Sequence, residues 1–203
     1  GKVTSTFKAL AAMNSVTFDL SYELSVSSVK LSGSSLTFVQ NTTNELVITL
    51  PSTLASGNSL TLVIDYFGSP PTEQEAFTQT YHNGTPIIFT LSEPFGASDW
   101  WPCKQDLKDK VDSIDVYITC PAPYTSVSNG KLISTVTTAG NTTRHFKHNY
   151  PIPAYLISLN VSNYVSYDFQ AGLGTAERPF FPILNYLYPE GNTPAVRAAI
   201  DKT

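Results

Sequence analysis

The sequence predicts an all-β chain, an antiparallel β-sandwich or one large curved sheet, with a single helix starting near its C-terminal end. Three observations carry this. Ser and Thr make up 46 of the 203 residues and Tyr and Phe 11 each, against one Met, a mix that suits half-buried pleated surfaces better than helices. Apolar and polar residues alternate with period two in short runs, each stopped by Pro, Gly, Ser or Asn. Ten or more such runs at short spacing are the pattern of a sandwich or a broad antiparallel sheet.

Taken in order, the first strand is expected over Val3–Lys8, and Val16, Phe18 and Leu20 share one face of the next. Glu23–Leu31 and Leu36–Gln40 follow. Leu46, Ile48 and Leu50, then Leu60, Leu62, Ile64 and Tyr66, mark two strands with one apolar face each. Later strands are expected over Pro86–Thr90, Ser113–Cys120, Lys131–Thr137, Thr142–His148 and Tyr155–Tyr164. Ser128-Asn129-Gly130 and Ala139-Gly140-Asn141 read as turns, because Asn and Gly tolerate positive φ, and together they suggest a meander from Ser113 to His148. Two long loops stand apart, Gly68–Asn83 and Ser92–Val111. The second carries Trp100, Trp101, Pro102 and Cys103, and a connection of that length is functional or hides structure of its own. At the far end Asn192-Thr193-Pro194 reads as a helix cap with Pro at the first helical position, and Val196, Ala199 and Ile200 then recur at helical spacing.

The charge balance narrows the partners. The net charge is −4, only 14% of residues are charged, and Lys2, Lys8 and Lys30 are the only cations in the first hundred. Nucleic acid needs a clustered basic surface, and so does a polybasic membrane anchor. Neither partner is expected. No apolar run reaches the roughly 20 residues of a spanning helix, so no membrane span is expected. Cys103 and Cys120 allow one bridge at most and are expected to be free, buried thiols. The N-x-S/T triplets at Asn41, Asn83, Asn141 and Asn160 are no more than this Asn and Ser/Thr content yields by chance.

Catalytic patterns are scarce. His82, His145 and His148 are the only histidines, and an offset of three along a strand sends His145 and His148 to opposite faces, which is wrong for a shared metal. No nucleophile elbow, phosphate-binding loop or dinucleotide fingerprint occurs. Asp106, Asp109, Asp112 and Asp115, interleaved with Lys104, Lys108 and Lys110, read as a solvated, charge-balanced loop rather than a carboxylate pair for glycoside chemistry. Glu93 stands out by position, where a strand gives way to the unusual loop. On its own, an acid before a proline is a surface turn residue. Trp100 and Trp101 could stack on a sugar, or divide between the interior and a neighbouring domain.

The loop also carries a resemblance. The run Leu91-Ser92-Glu93-Pro94-Phe95-Gly96-Ala97-Ser98-Asp99-Trp100-Trp101-Pro102-Cys103-Lys104 resembles the signature of the N-terminal domain of the zinc aminopeptidase N (gluzincin) family, with its Gln or Glu followed by an aromatic-Pro-Cys segment. Gly1-Lys2-Val3, Tyr66-Phe67-Gly68, Ser128-Asn129-Gly130 and Pro151-Ile152-Pro153-Ala154-Tyr155-Leu156 are similar to further family segments in the same order. Leu91 and the stretch Lys104-Gln105-Asp106-Leu107 depart from the commoner pattern.

The resemblance implies a saddle-shaped β-domain over residues 1–183, its first strand missing upstream. Residues 184–203 would form a linker and first helix leading into a catalytic domain. That domain would be the chain's partner and would hold the zinc, leaving no cofactor and no catalytic residue in this chain, which alone should be inactive. Glu93 falls on the family position that binds the free α-amino group of a peptide substrate, and Leu91 on a position lining its first side-chain pocket. The implied function of the parent is removal of N-terminal residues from peptides, and its implied location is extracellular or periplasmic, in bacteria. Two other readings stay open: a free-standing carbohydrate- or protein-binding module using the tryptophans, and a relative whose catalytic domain has lost its zinc ligands.

Overall fold

The computed structural model describes residues 1–73 and 75–202. Among the described residues, eighteen strands, three short 3-10 turns and one helix divide between two compact units. The first unit comprises 1–78, 90–113 and 149–158, and the second 79–89, 114–148 and 159–203. The all-β expectation with one C-terminal helix holds.

The first unit is a two-sheet sandwich. Strands β1 (Lys2–Lys8), β2 (Met13–Asp19), β3 (Ser25–Leu31), β4 (Ser34–Ser35), β5 (Phe38–Gln40), β6 (Glu45–Leu54) and β7 (Ser59–Phe67) form one sheet in the order β1-β7-β3-β4 and another in the order β2-β6-β5. Every pairing is antiparallel. The inward residues are those the alternation marked: Phe18, Leu20, Leu46, Ile48, Leu62 and Ile64 join Leu24 and Val29 in one core. Each such side chain contributes about 1.5–3 kcal/mol on burial, so this cluster is the main source of the unit's stability.

The second unit begins with β8 (Phe77–His82) and β9 (Thr85–Thr90), whose first two residues and last residue, respectively, belong to the first. The composition of 68–83 suggests a loop, yet β8 lies within it. The strand exists because Asn83 and Gly84, at φ of +48° and +78°, close a two-residue hairpin turn. Next come β10 (Ile114–Pro121), β11 (Thr125–Val127), β12 (Lys131–Thr138), β13 (Asn141–His148) and β14 (Asn160–Ser162). The expected meander is not formed. The order is β10-β13-β12, while β11 leaves to join a sheet ordered β11-β14-β9-β8, so Ser128–Gly130 connects two sheets instead of closing a hairpin. The second turn is a hairpin, with Ala139 at φ +50° and Gly140 at +78°.

Tyr155–Tyr164 is not one strand either. Ala154–Leu156 winds into a 3-10 turn, and only Asn160–Ser162 forms a strand. Four short strands missed in the sequence, β15 (Val165–Ser166), β16 (Phe169–Ala171), β17 (Phe181–Ile183) and β18 (Tyr186–Leu187), pair as β15-β18 and β16-β17. Helix α1 (Pro194–Ile200) starts as expected, with the Thr193 side chain accepting from the Val196 N–H. Both cysteines are free and buried.

Candidate functional site

The site is built in the first unit where β9 ends. Leu91 N–H donates to the Ala76 carbonyl at 3.1 Å, and Ser92 Oγ donates to the same oxygen at 3.2 Å. The Ser92 hydroxyl in turn accepts from Trp100 Nε1 at 3.0 Å, and its carbonyl accepts from Gly96 N–H at 2.9 Å. Ser92 is 4% exposed. Ser92 is thus pinned inward between Leu91 and Glu93. Both are exposed. The Glu93–Pro94 peptide is cis. Glu93 makes no hydrogen bond or ion pair with the described residues, so its carboxylate is open to a ligand.

Loop 92–111 behind it is held at many points. Trp100 packs at 6.4 Å from Phe77 and 6.0 Å from Trp101, and its carbonyl accepts from the Tyr66 hydroxyl at 3.0 Å. Burial pushes the Tyr66 phenol up to about 12. Trp101 packs on Ala97, Cys103 and Ala154. Both tryptophans are half-buried and pack into the base of the loop. Cys103 and Asp19 exchange both backbone hydrogen bonds, at 2.8 and 3.0 Å, and the Asp19 carboxylate accepts from Gln105 N–H at 2.8 Å. Gln105 reaches on to Ser98 Oγ at 2.8 Å.

Two buried atoms here have no partner among the described residues, Asp99 Oδ2 and Trp101 Nε1. Burial, with the Glu23 charge added, raises the Asp99 carboxyl above its usual range. Burial also pushes the Cys103 thiol well up, reinforced by Asp19 and Asp99, which makes it a poor nucleophile.

The other candidates are placed as surface chemistry. Asp106 accepts from the Lys108 and Asp109 N–H groups, and Lys104 pairs with Asp109. Asp115 accepts from His145 Nε2 at 2.6 Å and Lys147 Nζ at 2.7 Å, while His145 stacks on Tyr117 at 4.1 Å. His82 stacks on Tyr188 at 3.7 Å and meets Glu190 at 2.5 Å, a pairing across 108 positions that no local pattern signals. Among the described residues no group of three His, Cys, Asp or Glu side chains could hold a metal ion.

Residues 1–156 match the peptidase M1 N-terminal domain. The chain belongs to this family. Its fold is shared with the M1 zinc metallopeptidase of Deinococcus radiodurans, at a TM-score of 0.78 and 22% identity over 95% of this chain and 45% of that one. A point mutant of that enzyme bound to a Tyr-Ser-Ala substrate superimposes with a TM-score of 0.77 and 22% identity, over 98% of this chain and 46% of the other. The M1 N-terminal domain thus spans about half the length of these structures. No curated protein sequence matches it.

Proposed function

We propose that this M1 N-terminal domain is the substrate-anchoring part of a zinc aminopeptidase, and that Glu93 binds the free α-ammonium group of the peptide. The observation that carries the reading is the unpartnered, exposed carboxylate of Glu93 directly after a serine clamped on two sides. An ammonium surrendering water needs an anionic acceptor held in place, and a charge-assisted hydrogen bond from it to a carboxylate is about twice as strong as a neutral one. A fixed acceptor also measures the peptide from its end, so that only the first residue's peptide bond reaches the reacting centre. Leu91, 64% exposed, stands two residues away and would offer an apolar wall to the first side chain.

In this reading zinc and bond cleavage belong to a catalytic domain following the linker 184–203, and this chain alone is inactive. The exposed surface of α1, none of whose residues is buried, supports such a continuation. A composition rich in Ser, Thr and Tyr and poor in Lys favours a secreted or periplasmic parent, which cell fractionation would check.

The test is Glu93→Ala in the full-length protein. Zinc content should be unchanged, while KM for aminoacyl substrates rises and kcat/KM falls; truncating one partner of such a charge pair costs a few kcal/mol, about a hundredfold or more. Unchanged kinetics would remove Glu93 from the site.

A further inference from the structure

The second unit holds a cleft of about 530 Å³, within the size range of small-molecule sites. One wall is a face of the β12–β13 ladder. Leu132 lies opposite Phe146, and Arg144, two residues from Phe146, shares that face. Lys131, opposite Lys147, falls on the other face of the sheet. The second wall comes from the short strands near the end of the chain and carries Asp168, Leu184 and Tyr186. Tyr167 N–H donates to the Asn185 carbonyl at 2.9 Å, and Asn185 Nδ2 donates to the Tyr167 carbonyl at 3.0 Å. The residues just before Asp168 and Tyr186 are thereby tied together.

The polar groups of the cleft keep most of their bonding capacity. A guanidinium has five N–H donors, and that of Arg144 makes one hydrogen bond, from Nη1 to the Ser126 carbonyl at 3.4 Å. Among the described residues Arg144 pairs with no carboxylate, while Asp168 accepts no hydrogen bond and meets no cation at ion-pair distance. The Tyr186 hydroxyl makes no hydrogen bond with them either. Burial holds this phenol above its ordinary range, the Arg144 charge draws it down and the Asp168 charge pushes it up. Both charges therefore bear on one hydroxyl without neutralising each other.

One cation and one acid, held apart in a cleft with aliphatic walls, select by charge. A phosphate or other dianion drawn to Arg144 would also meet the Asp168 carboxylate, and a metal ion needs more ligands than one acid provides. A ligand carrying both charges satisfies both groups. We propose that this cleft binds a small zwitterion of the amino-acid type, its carboxylate held by Arg144, its ammonium by Asp168 and its apolar part against Leu132 and Leu184. The planar fork of an arginine suits a carboxylate, with two parallel N–H donors. The inference rests on the cleft alone; free amino acids are also what the reaction proposed above releases.

The probes are L-leucine and L-leucyl-L-leucine, each titrated calorimetrically into the 203-residue chain carrying Glu93→Ala, so that the ammonium acceptor proposed above cannot contribute. Saturable binding at about 1 mM or below is expected for one of them, and the tighter probe identifies the source as a free amino acid or a short peptide. Arg144→Gln should weaken it about tenfold, and Asp168→Asn about threefold to fivefold. N-acetyl-L-leucine and L-leucinamide, which each lack one charge, give a test that cannot unfold the protein, and each should bind at least about threefold more weakly than L-leucine. No saturable binding of either probe by about 10 mM, equal binding of the charged and blocked compounds, or unchanged binding in both variants would each overturn the proposal.

Discussion

Trp100 donates its indole N–H to the Ser92 hydroxyl across 3.0 Å, eight residues back along the chain. That bond ties the far side of the signature loop to the residue immediately before Glu93. The loop is thereby braced against the start of its own chain segment.

Ser92→Ala should show how far Glu93 depends on this support. The change deletes the acceptor for Trp100 Nε1 and one donor to the Ala76 carbonyl. Leaving a largely buried indole N–H unpaired costs about 1–3 kcal/mol, readable as a lower denaturation midpoint with an unchanged slope. In the full-length protein, KM should rise by more than kcat falls, because an anchor is loosened while the reacting groups are untouched.

Gly96, the one glycine of the loop, is tightly packed. A Cβ at this position would lie 2.5 Å from the Ala76 Cβ, far inside contact distance, and overpacking of this kind costs about 1–3 kcal/mol. Gly96→Ala should therefore destabilise the domain, and adding Ala76→Gly should restore most of the loss. A double-mutant cycle in urea measures the coupling, and purely additive effects would mean that the strain lies elsewhere.

Asp99 gives the domain a pH signature. Its carboxyl is raised in the folded state by burial and then by the charge of Glu23. A raised carboxyl favours folding while it stays protonated, and that contribution is lost as pH climbs through its folded value. Asp99→Asn removes the buried charge. The mutant and the parent should melt together at acid pH, below the ordinary carboxylate range, and the mutant should gain progressively above it, by about 2–4 °C per kcal/mol for a chain this size. Thermal melts across pH 3–8 would show it, and a constant difference at every pH would exclude Asp99 as the source.

The sandwich core was legible because burial on one face imposes period two, and Phe18, Leu46, Ile48, Leu62 and Ile64 obey it without exception. Glu93 stands out only through the motif around it, since an exposed acid beside a proline has no periodicity of its own. The Asn83-Gly84 turn did carry a local signal that could have revealed β8, but the polar, Pro-rich stretch before it masked the strand. Partner choice was not legible. That β10 pairs with β13 and not β12 depends on β11 being captured by β14, three residues matched across 35 positions of sequence. The orphaned Asp99 Oδ2 and the His82–Glu190 contact are likewise products of long-range packing.

The thiols should report the integrity of the signature loop. Cys103 is 2% exposed, and its thiol is pushed well above its ordinary range by burial, then by Asp19 and Asp99. Both access and thiolate fraction are therefore low, and alkylation proceeds through the thiolate. Cys120 is 7% exposed on the inner side of β10. The native chain should resist a thiol reagent at neutral pH, whereas the urea-unfolded chain takes up two equivalents. Because Cys103 is bound through its backbone to Asp19 at the end of β2, Ser92→Ala should speed its labelling more than that of Cys120. Equal acceleration at the two sites would indicate global unfolding and would separate the loop's support of Glu93 from the stability of the core.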